Sequence, residues 1–318
     1  MSLRNLVAAL LAAAVMLSAP AFAQDTLKVA VGQIEVWSAV GPTLGEKAGI
    51  FKKHGLNLEI LNAAGAGETV QAVIAGSADV AINVGISGVM RAFQKGAPLR
   101  VLGANYTGGG DIFWYVRADS PIRSLKDATA ANTISYSTNG SSTHNIVLGF
   151  VGDLGVKAKP TSTGAPTPTL TQVMSGQIDI GWGSPPLGVK EIEDGQIRVV
   201  ASGNDLPSVR NQTVRVDIVN ANALRDKKDA ILRFVRAYRE TLDWMYSDPA
   251  AIKMYAEFIR VPESRAKIAV EKFSPKESRQ FDQINDIDGI MRDAVKLKFL
   301  EEPLSKAQQA EFIQIPAR

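Results

Sequence analysis

The sequence predicts an α/β protein of two lobes, with a helical C-terminal tail packed on the first lobe. One observation is an internal repeat, because residues 51–101 resemble residues 151–199 at a shift of about 100 positions. Another is that apolar strands alternate with amphipathic helices in both copies, which predicts mostly parallel sheets covered on both faces. A third is that the chain keeps one apolar face at helical spacing after residue 226. Two repeated units therefore predict two lobes.

The elements of the two units follow the same order. The first unit opens with a strand at 27–31 and a helix near 37–47, and the second opens with a strand at 133–136 and a helix near 141–154. Each unit then has a helix that ends at a glycine, because glycine adopts the left-handed cap easily. An aspartate and a short apolar strand follow. These junctions read Gly76-Ser77-Ala78-Asp79 and Gly176-Gln177-Ile178-Asp179.

Two segments rich in turn formers, 105–111 and 202–207, predict the crossovers between the lobes. The expected division is residues 24–107 and 208–318 for lobe 1 and residues 108–207 for lobe 2.

The first 23 residues are expected to be a cleavable signal peptide. Arg4 precedes an apolar run of 12 residues, 6–17, and Ala21-Phe22-Ala23 matches a small-x-small cleavage site. The alternative is a short membrane anchor, which Ser18 and Pro20 disfavour because they interrupt the apolar run. Since the chain has no cysteine, a lipid cannot be attached there. We therefore expect a soluble, unlipidated protein of a bacterial periplasm.

Composition excludes several functional classes. The 318 residues include no cysteine and two histidines, so neither a disulfide framework nor an all-protein zinc site is expected. Lysine plus arginine number 35 against 32 acidic residues, and the charges are interspersed. A nucleic-acid groove would need a basic stripe with interleaved aromatic residues. The sequence thus predicts no cofactor, no metal and no nucleic-acid partner.

Catalytic motifs are incomplete. Gly65-Ala66-Gly67 opens a helix as a dinucleotide loop would, but Val70 replaces the third glycine. Gly85-Ile86-Ser87-Gly88 resembles a nucleophile elbow without its last glycine, and Ser87 is expected to cap a helix instead. His144 has no carboxylate at a triad spacing. We therefore predict that the protein is not an enzyme.

Polar loops at predicted strand ends suit a small anionic ligand, because helix N-termini and hydroxyls there donate hydrogen bonds. The alternative for Ser141 and Ser142 is simple helix capping, and each aromatic residue could equally be core. Arg117, Arg210 or Arg215 could neutralise an anion if one reaches the cleft. The candidate ligand-binding residues are Gln33, Trp37, Ala66, Gly67, Glu68, Asn83, Val84, Gly85, Tyr106, Thr138, Asn139, Gly140, Ser141, Ser142, Trp182 and Ser184.

The chain also resembles a known family. The motifs that carry the resemblance are Val29-Ala30-Val31-Gly32, Lys47-Ala48-Gly49-Ile50-Phe51-Lys52-Lys53-His54-Gly55-Leu56, Gly76-Ser77-Ala78-Asp79-Val80-Ala81, Ser120-Pro121-Ile122-Arg123-Ser124-Leu125-Lys126-Asp127 and Gly176-Gln177-Ile178-Asp179-Ile180-Gly181. In this order they resemble the nitrate/sulfonate/taurine family of periplasmic solute-binding proteins of ABC importers. The resemblance implies a type II two-lobe fold with two crossover segments, hinge closure on the solute, a monomer and a membrane permease as partner.

The expected function is capture of a small anionic organic solute, sulfonate- or carboxylate-like, and its delivery to the permease. One departure concerns the second-lobe strand end, where many members carry Glu-Pro and this chain has Ser184-Pro185-Pro186. The missing carboxylate argues against an amino-bearing solute such as taurine. Two alternatives remain open, a periplasmic ligand-sensing module and a secreted enzyme on the same fold. The related pyrimidine-synthesising enzymes have a cysteine-rich stretch that is absent here.

Overall fold

The computed structural model describes residues 24–63 and 65–318, which form two α/β units. The predicted signal peptide, residues 1–23, lies outside the described residues. Within the described residues, no helix has both the length and the apolar character that a membrane crossing requires.

The larger sheet has five strands in the order β2-β1-β3-β10-β4. Strands β1, β2 and β3 are parallel, whereas β10 runs antiparallel to both β3 and β4. All residues of β3 and β10 are buried, as expected for central strands covered by helices on both faces. The strands are β1 (Asp25–Gly32), β2 (Leu56–Ala63), β3 (Val80–Gly85), β4 (Leu99–Thr107) and β10 (Thr213–Asn220).

The smaller unit repeats this strand order. Strand β6 pairs with β7 in parallel, and β5 pairs antiparallel with β8 and β9. The backbone N–H of Ser135 donates to the carbonyl of Ile180 at 2.8 Å, and the N–H of Ile180 donates to Thr133 at 3.0 Å, which joins the two groups as β7-β6-β8-β5-β9. The strands are β5 (Phe113–Arg117), β6 (Thr133–Tyr136), β7 (Lys159–Ser162), β8 (Gly181–Gly183) and β9 (Ile197–Ser202).

Equivalent aspartates fix equivalent strands in the two units. The carboxylate of Asp79 accepts a hydrogen bond from the backbone N–H of Lys28 at 2.9 Å, and that of Asp179 accepts one from Thr133 at 2.8 Å. Each aspartate thereby ties the start of one strand to the strand beside it. The predicted α/β fold with a repeated unit is confirmed.

Helices cover both sheets, and those after β10 form the C-terminal tail. The helices are α1 (Gly41–Lys47), α2 (Ile50–Lys53), α3 (Ala66–Ile74), α4 (Ile86–Gln94), α5 (Ser142–Gly152), α6 (Pro166–Met174), α7 (Val189–Glu193), α8 (Ala221–Asp226), α9 (Lys228–Ser247), α10 (Pro249–Ile259), α11 (Glu263–Phe273), α12 (Ile287–Lys296) and α13 (Lys306–Phe312). Phe234 and Tyr238 of α9 are buried in one core with Leu27 of β1, so the tail packs on the larger sheet as predicted.

The tail also reaches the smaller unit, which the sequence did not predict. Arg265 of α11 forms an ion pair with Glu193 of α7 at 3.1 Å, and the ring of Phe273 lies 6.5 Å from that of Phe113 in β5. Helix α11 therefore contacts both units.

Two adjacent chain segments, 108–112 and 203–212, connect the sheets. They are hydrogen-bonded to each other, because the N–H of Gly109 donates to Asn204 Oδ1 at 2.8 Å and that of Gly203 donates to the carbonyl of Ile112 at 2.9 Å. A methyl group on Gly203 would lie 2.5 Å from the carbonyl oxygen of Gly109. The absence of a side chain at Gly203 is therefore required for the two segments to run side by side.

Two local expectations are wrong. The helix expected near 37–47 begins only at Gly41, because residues 33–39 form turns after β1. Ser87 is not a helix cap but the second residue of α4, since β3 runs directly into that helix and Gly85 occupies the cap position.

Candidate functional site

The carboxyl ends of the parallel strands in the two units face each other and are in contact. We call this contact the seam, defined by residues 65–67 and 85–88 of the larger unit and residues 137–142 of the smaller one. The N–H of Gly67 donates to Thr138 Oγ1 across the seam at 3.0 Å. Strand carboxyl ends are where open α/β sheets bind ligands, so the seam is the candidate site.

Glycines allow the backbones to approach at the seam. A methyl group on Gly88 would lie 2.3 Å from the carbonyl oxygen of Gly140, and one on Gly85 would lie 2.6 Å from the backbone nitrogen of Ser142. No side chain fits in these gaps without separating the two units. The structure is thus a closed arrangement in which the backbone of α4 touches the loop before α5.

Three helix N-termini converge on the seam. Gly65 precedes α3, Gly85 precedes α4 and Ser141 caps α5. The Ser141 hydroxyl accepts a hydrogen bond from the N–H of His144 at 3.1 Å and contacts Thr143 Oγ1 at 2.9 Å, so it is already engaged. The positive ends of these helices favour negative charge between the two units.

Two buried polar atoms, one in the seam and one two residues before it in β3, have no hydrogen-bond partner among the described residues. They are the side-chain oxygen Oδ1 of Asn83, a residue 8% exposed, and the hydroxyl of Ser137, a residue 1% exposed. The Ser137 hydroxyl faces Gly65, because a methyl group there would lie 3.2 Å from it. Buried polar groups usually have partners, so these two atoms are candidates for contact with a bound molecule.

Besides Asn83, nine of the sequence-predicted residues lie at or beside the seam, and Gln33 lies near it. Five of them line a cavity of about 140 Å³, which Arg91 also lines. Gln33 lines a second cavity of about 190 Å³, which it shares with residues 165–167 of the smaller unit. The nine are Ala66, Gly67, Val84, Gly85, Thr138, Asn139, Gly140, Ser141 and Ser142, and the five are Ala66, Gly67, Gly85, Asn139 and Gly140.

The three predicted aromatic residues lie in hydrophobic cores. Trp37 is 1% exposed and packs edge-on against Tyr255 of the tail, with ring centroids 4.9 Å apart. The hydroxyl of Tyr106 donates to the carbonyl of Phe273 at 2.6 Å. The indole of Trp182 donates to the carbonyl of Gly164 at 3.2 Å. Each ring therefore stabilises the units that form the seam.

The two remaining candidates differ in exposure. Ser184 is 3% exposed, directly after β8, whereas Glu68 is exposed on the first turn of α3.

The three arginines considered from the sequence are all engaged elsewhere. Arg117 forms an ion pair with Asp119 at 2.7 Å, on the surface. Arg210 donates from Nε to the carbonyl of Asn204 at 2.6 Å. Arg215 forms a buried ion pair with Asp111.

A buried polar network lies beneath Asn83. Asp217 Oδ1 accepts hydrogen bonds from the N–H of Asn83 at 2.9 Å and from Asn105 Nδ2 at 2.7 Å. Arg279, from the segment between α11 and α12, donates to the backbone carbonyl of Asn105 at 2.9 Å. Burial raises the pKa of Asp217 to about 7, and the nearby positive charge of Arg279 opposes this shift.

His144 lies where the two units meet behind the seam. Its Nδ1 accepts a hydrogen bond from the N–H of Gly140 at 3.1 Å, so the ring proton is on Nε2. The ring stacks on Tyr136 at 4.2 Å and meets Phe299 of the tail edge-on at 5.6 Å. Burial, with a contribution from the charge of Arg91, lowers the pKa of His144 to about 4. The imidazole is therefore neutral at physiological pH.

Sequence reasoning missed Ser137, Asp217 and Arg91 as residues of this region. Asp217 carried a signal, because it and Arg215 are charged residues that alternate with apolar ones in the strand Val214-Arg215-Val216-Asp217-Ile218. A buried strand retains such a side chain only where partners satisfy it. In residues 24–63 and 65–318, no three acidic or histidine side chains are grouped so that they could hold a metal ion.

Comparison with known proteins gives one family and a consistent fold. The family model described as NMT1/THI5 like matches residues 39–252. The chain matches none of the curated proteins.

Three solved structures illustrate the likeness in fold. The periplasmic aliphatic sulphonate binding protein SsuA from Escherichia coli is 17% identical with a TM-score of 0.71, and the match covers 92% of this chain and 93% of that one. The alkanesulfonate-binding protein SsuA from Xanthomonas axonopodis pv. citri, bound to MOPS, is 15% identical with a TM-score of 0.74, covering 92% and 100%. The periplasmic nitrate-binding protein NrtA from Synechocystis PCC 6803 is 12% identical with a TM-score of 0.72, covering 91% and 85%.

Proposed function

The chain belongs to the NMT1/THI5-like family, and from this membership we propose that it is the periplasmic solute-binding component of an ABC-type importer. It captures a small anionic organic solute, sulfonate- or carboxylate-like, between its two units and delivers it to a membrane permease. Three structures of the same fold are named as sulfonate- or nitrate-binding proteins, and all of these ligands are anions. The proposed division into lobes is residues 24–107 with 208–318, and residues 108–207.

The observation that carries the proposal is the seam with its two unpartnered polar atoms. Two units of the same strand order meet at the carboxyl ends of their strands, and Asn83 and Ser137 have buried side-chain atoms near this contact that lack partners in the described part of the chain. A solute bound between the units contacts both of them at once only when they are closed, so binding favours the closed state.

The anionic character of the solute is supported by helix dipoles and by one arginine, Arg91, at the cavity. The N-termini of α3, α4 and α5 point their backbone N–H groups toward the seam, and the Ser137 hydroxyl adds a donor. A sulfonate or carboxylate accepts several such hydrogen bonds at once. Arg91, at the edge of the cavity of about 140 Å³, adds a positive charge nearby.

The site supports binding of a solute without any chemical reaction. Asp217 is enclosed, and the Nδ1 of His144 already accepts a hydrogen bond, so neither is available as a general base. Turnover of a bound compound would contradict this part of the proposal. A sensing module would instead be indicated if uptake continued normally in cells lacking the protein.

The direct test is thermal shift and calorimetry of the protein against a panel of small sulfonates and carboxylates. A bound solute raises the melting temperature, because it stabilises only the folded state. Ser137→Ala should weaken binding, whereas the matched control Ser264→Ala, on the exposed surface of α11, should leave it unchanged. Equal affinity of both variants would remove Ser137 from the site, and a panel without any binder would contradict the proposed function.

A further inference from the structure

His144 lies on the face of α5 that packs against the larger unit. Its ring meets Phe299 of the tail edge-on at 5.6 Å. Leu148, one helical turn further along α5, packs against the core of the larger unit that contains Phe299. At the end of the same helix, Asp153 forms an ion pair with Lys296 of α12. This face of α5 is therefore covered in the closed arrangement, and separating the two units there exposes the imidazole to water.

The neutral imidazole also holds the loop that forms the smaller unit's side of the seam. Nδ1 of His144 accepts a hydrogen bond from the N–H of Gly140 at 3.1 Å. The carbonyl oxygen of Gly140 is the atom that a methyl group on Gly88 would approach to 2.3 Å across the seam. A protonated imidazole carries a hydrogen on Nδ1 and can only donate there, so two N–H groups would face each other. Protonation of His144 therefore displaces Gly140, a residue at which the two units touch.

The surroundings of the ring disfavour a positive charge on it. Arg91 of α4 acts on the imidazole through its charge, and Tyr136, which stacks on the ring, is an uncharged phenol. Helix α5 has no other ionisable side chain between Ser142 and Gly152. The other charged residues on the neighbouring elements are Lys95 at the end of α4, Lys298 and Glu301 after α12, and the paired Lys296 and Asp153. Burial, together with the charge of Arg91, lowers the pKa of His144 to about 4, whereas an exposed histidine titrates near about 6.5.

We propose that the two units close on the solute only while His144 is neutral, so that protonation of this ring opens the seam and releases the solute. His144 is thus a positioning residue, which acts through Gly140 and through the face of α5, and it does not touch the solute. The inference rests on the proposed function and adds a regulator to it. The protein then captures its solute at neutral pH and releases it in acid.

The size of the effect follows from the linkage between proton binding and closure. The closed state binds the proton of His144 more weakly than the open state, so acid favours the open state. With a pKa of about 4 in the closed state and about 6.5 in the open state, the affinity for solute falls by up to about 30-fold between pH 7.5 and pH 5. Above about pH 7 the ring is neutral in both states, and the affinity is constant.

The first test needs no solute, because a disulfide can lock the units together. The chain has no cysteine, and a Cβ on Gly67 would lie 3.4 Å from the Cβ of Thr138 across the seam. This separation is close to the value of about 3.8 Å in a disulfide. The double variant Gly67→Cys/Thr138→Cys should therefore form a disulfide that holds the protein closed. Gly88→Ala supplies the opposite state, because its methyl group separates the units at Gly140.

Titration by NMR compares His144 in the two states. His54→Gln in both backgrounds leaves His144 as the one histidine of the chain, so its ring signal needs no further assignment. The pKa of His144 should be about 4 in the oxidised double variant and higher by at least about one unit in Gly88→Ala. Equal pKa values in the two states would overturn the inference, because closure would then not depend on this proton.

The second test measures binding of ethanesulfonate by calorimetry at pH 7.5 and pH 5, between which the charge of this probe does not change. The affinity should fall by between about threefold and about 30-fold in the wild type. His144→Gln should bind equally at both pH values, because its amide oxygen accepts the N–H of Gly140 at either pH. The matched control His54→Gln, at the other histidine, should retain the fall. A fall of the same size in His144→Gln would overturn the inference.

The remaining outcomes separate this inference from the proposed function. If ethanesulfonate binds equally to the wild type at both pH values, the proposed function stands and the inference fails. If ethanesulfonate does not bind but the locked and open states differ in the pKa of His144, the coupling of this proton to closure stands and the proposed solute class fails. If the disulfide between residues 67 and 138 does not form, the units do not meet at the seam and both fail.

Discussion

The backbones of Gly88 and Gly140 approach so closely at the seam that one methyl group added to Gly88 must separate the two units. We expect Gly88→Ala to hold the protein open and weaken solute binding. The substitution favours α4 itself, since alanine is a better helix former than glycine by about 1 kcal/mol. Any loss of binding therefore arises from the contact across the seam and not from the helix.

The size of the effect follows from the distances. The added carbon would lie 2.3 Å from the carbonyl oxygen of Gly140 and 2.9 Å from two further atoms of that residue. To relieve this overlap the two units must move apart by roughly 1 Å, which also breaks the 3.0 Å hydrogen bond from the N–H of Gly67 to Thr138 Oγ1. Overpacking of about 1–3 kcal/mol and a lost hydrogen bond of about 1 kcal/mol together oppose closure by roughly 2–4 kcal/mol. Solute affinity should then fall about 30- to 1000-fold.

Calorimetry with the best-binding probe measures the loss of affinity, and small-angle scattering measures whether the protein closes. The wild-type radius of gyration should decrease on adding solute, and that of Gly88→Ala should not. Gly152→Ala is the matched control, because it is also a helical glycine but has no atom within 4 Å of the added carbon. If Gly88→Ala and Gly152→Ala bind and compact equally, the seam is not the surface on which the protein closes.

Three further changes test other parts of the structure. Burial raises the pKa of Asp217 from 3.8 to about 7, so the folded state retains a proton that the unfolded state releases, and stability should fall by up to roughly 4 kcal/mol as the pH rises from about 4 to 7. Denaturant unfolding at about pH 4 and pH 8 should show this loss in the wild type and a smaller one in Asp217→Asn. The pKa of His144 is lowered from 6.5 to about 4, so the stability that its neutral ring contributes should be lost as the pH falls from about 6.5 to about 4. In His144→Gln the free energy of unfolding should depend less on pH over this range. Gly203→Ala should lower the melting temperature, because its methyl group would lie 2.5 Å from the carbonyl of Gly109 in the other crossing; an unchanged melting temperature would argue against tight contact there.

Much of the fold could be predicted because the chain contains the same local pattern twice. Asp79 and Asp179, three residues after Gly76 and Gly176, were visible as repeated residues, and each accepts a hydrogen bond from the backbone of the neighbouring strand. The contact between α11 and the smaller unit was not predictable in this way. It depends on Arg265 and Glu193, two charged residues that are 72 positions apart and carry no local signal.

At the candidate site, loop composition predicted a location but not the roles of individual side chains. Ser141 and Ser142 belong to the loop that lies at the seam, yet the Ser141 hydroxyl caps α5, and the unpartnered hydroxyl belongs to Ser137. Sequence could not separate these residues, because all are small and polar and only the direction of each side chain differs. Trp37 was equally ambiguous, since a tryptophan after a strand end suits either a ligand wall or the core that it occupies.

The second crossing returns the chain to the larger unit, and this determines the order in which the chain can complete the two units. Strand β10 lies between β3 and β4 in the larger sheet, but it follows them by more than a hundred residues. All five strands of the smaller sheet, in contrast, lie within residues 113–202. An emerging chain can therefore finish the smaller unit first, while the larger one keeps an open gap at its centre until residue 213 is available. Assembly of the first-synthesised half must wait for the last third of the polypeptide.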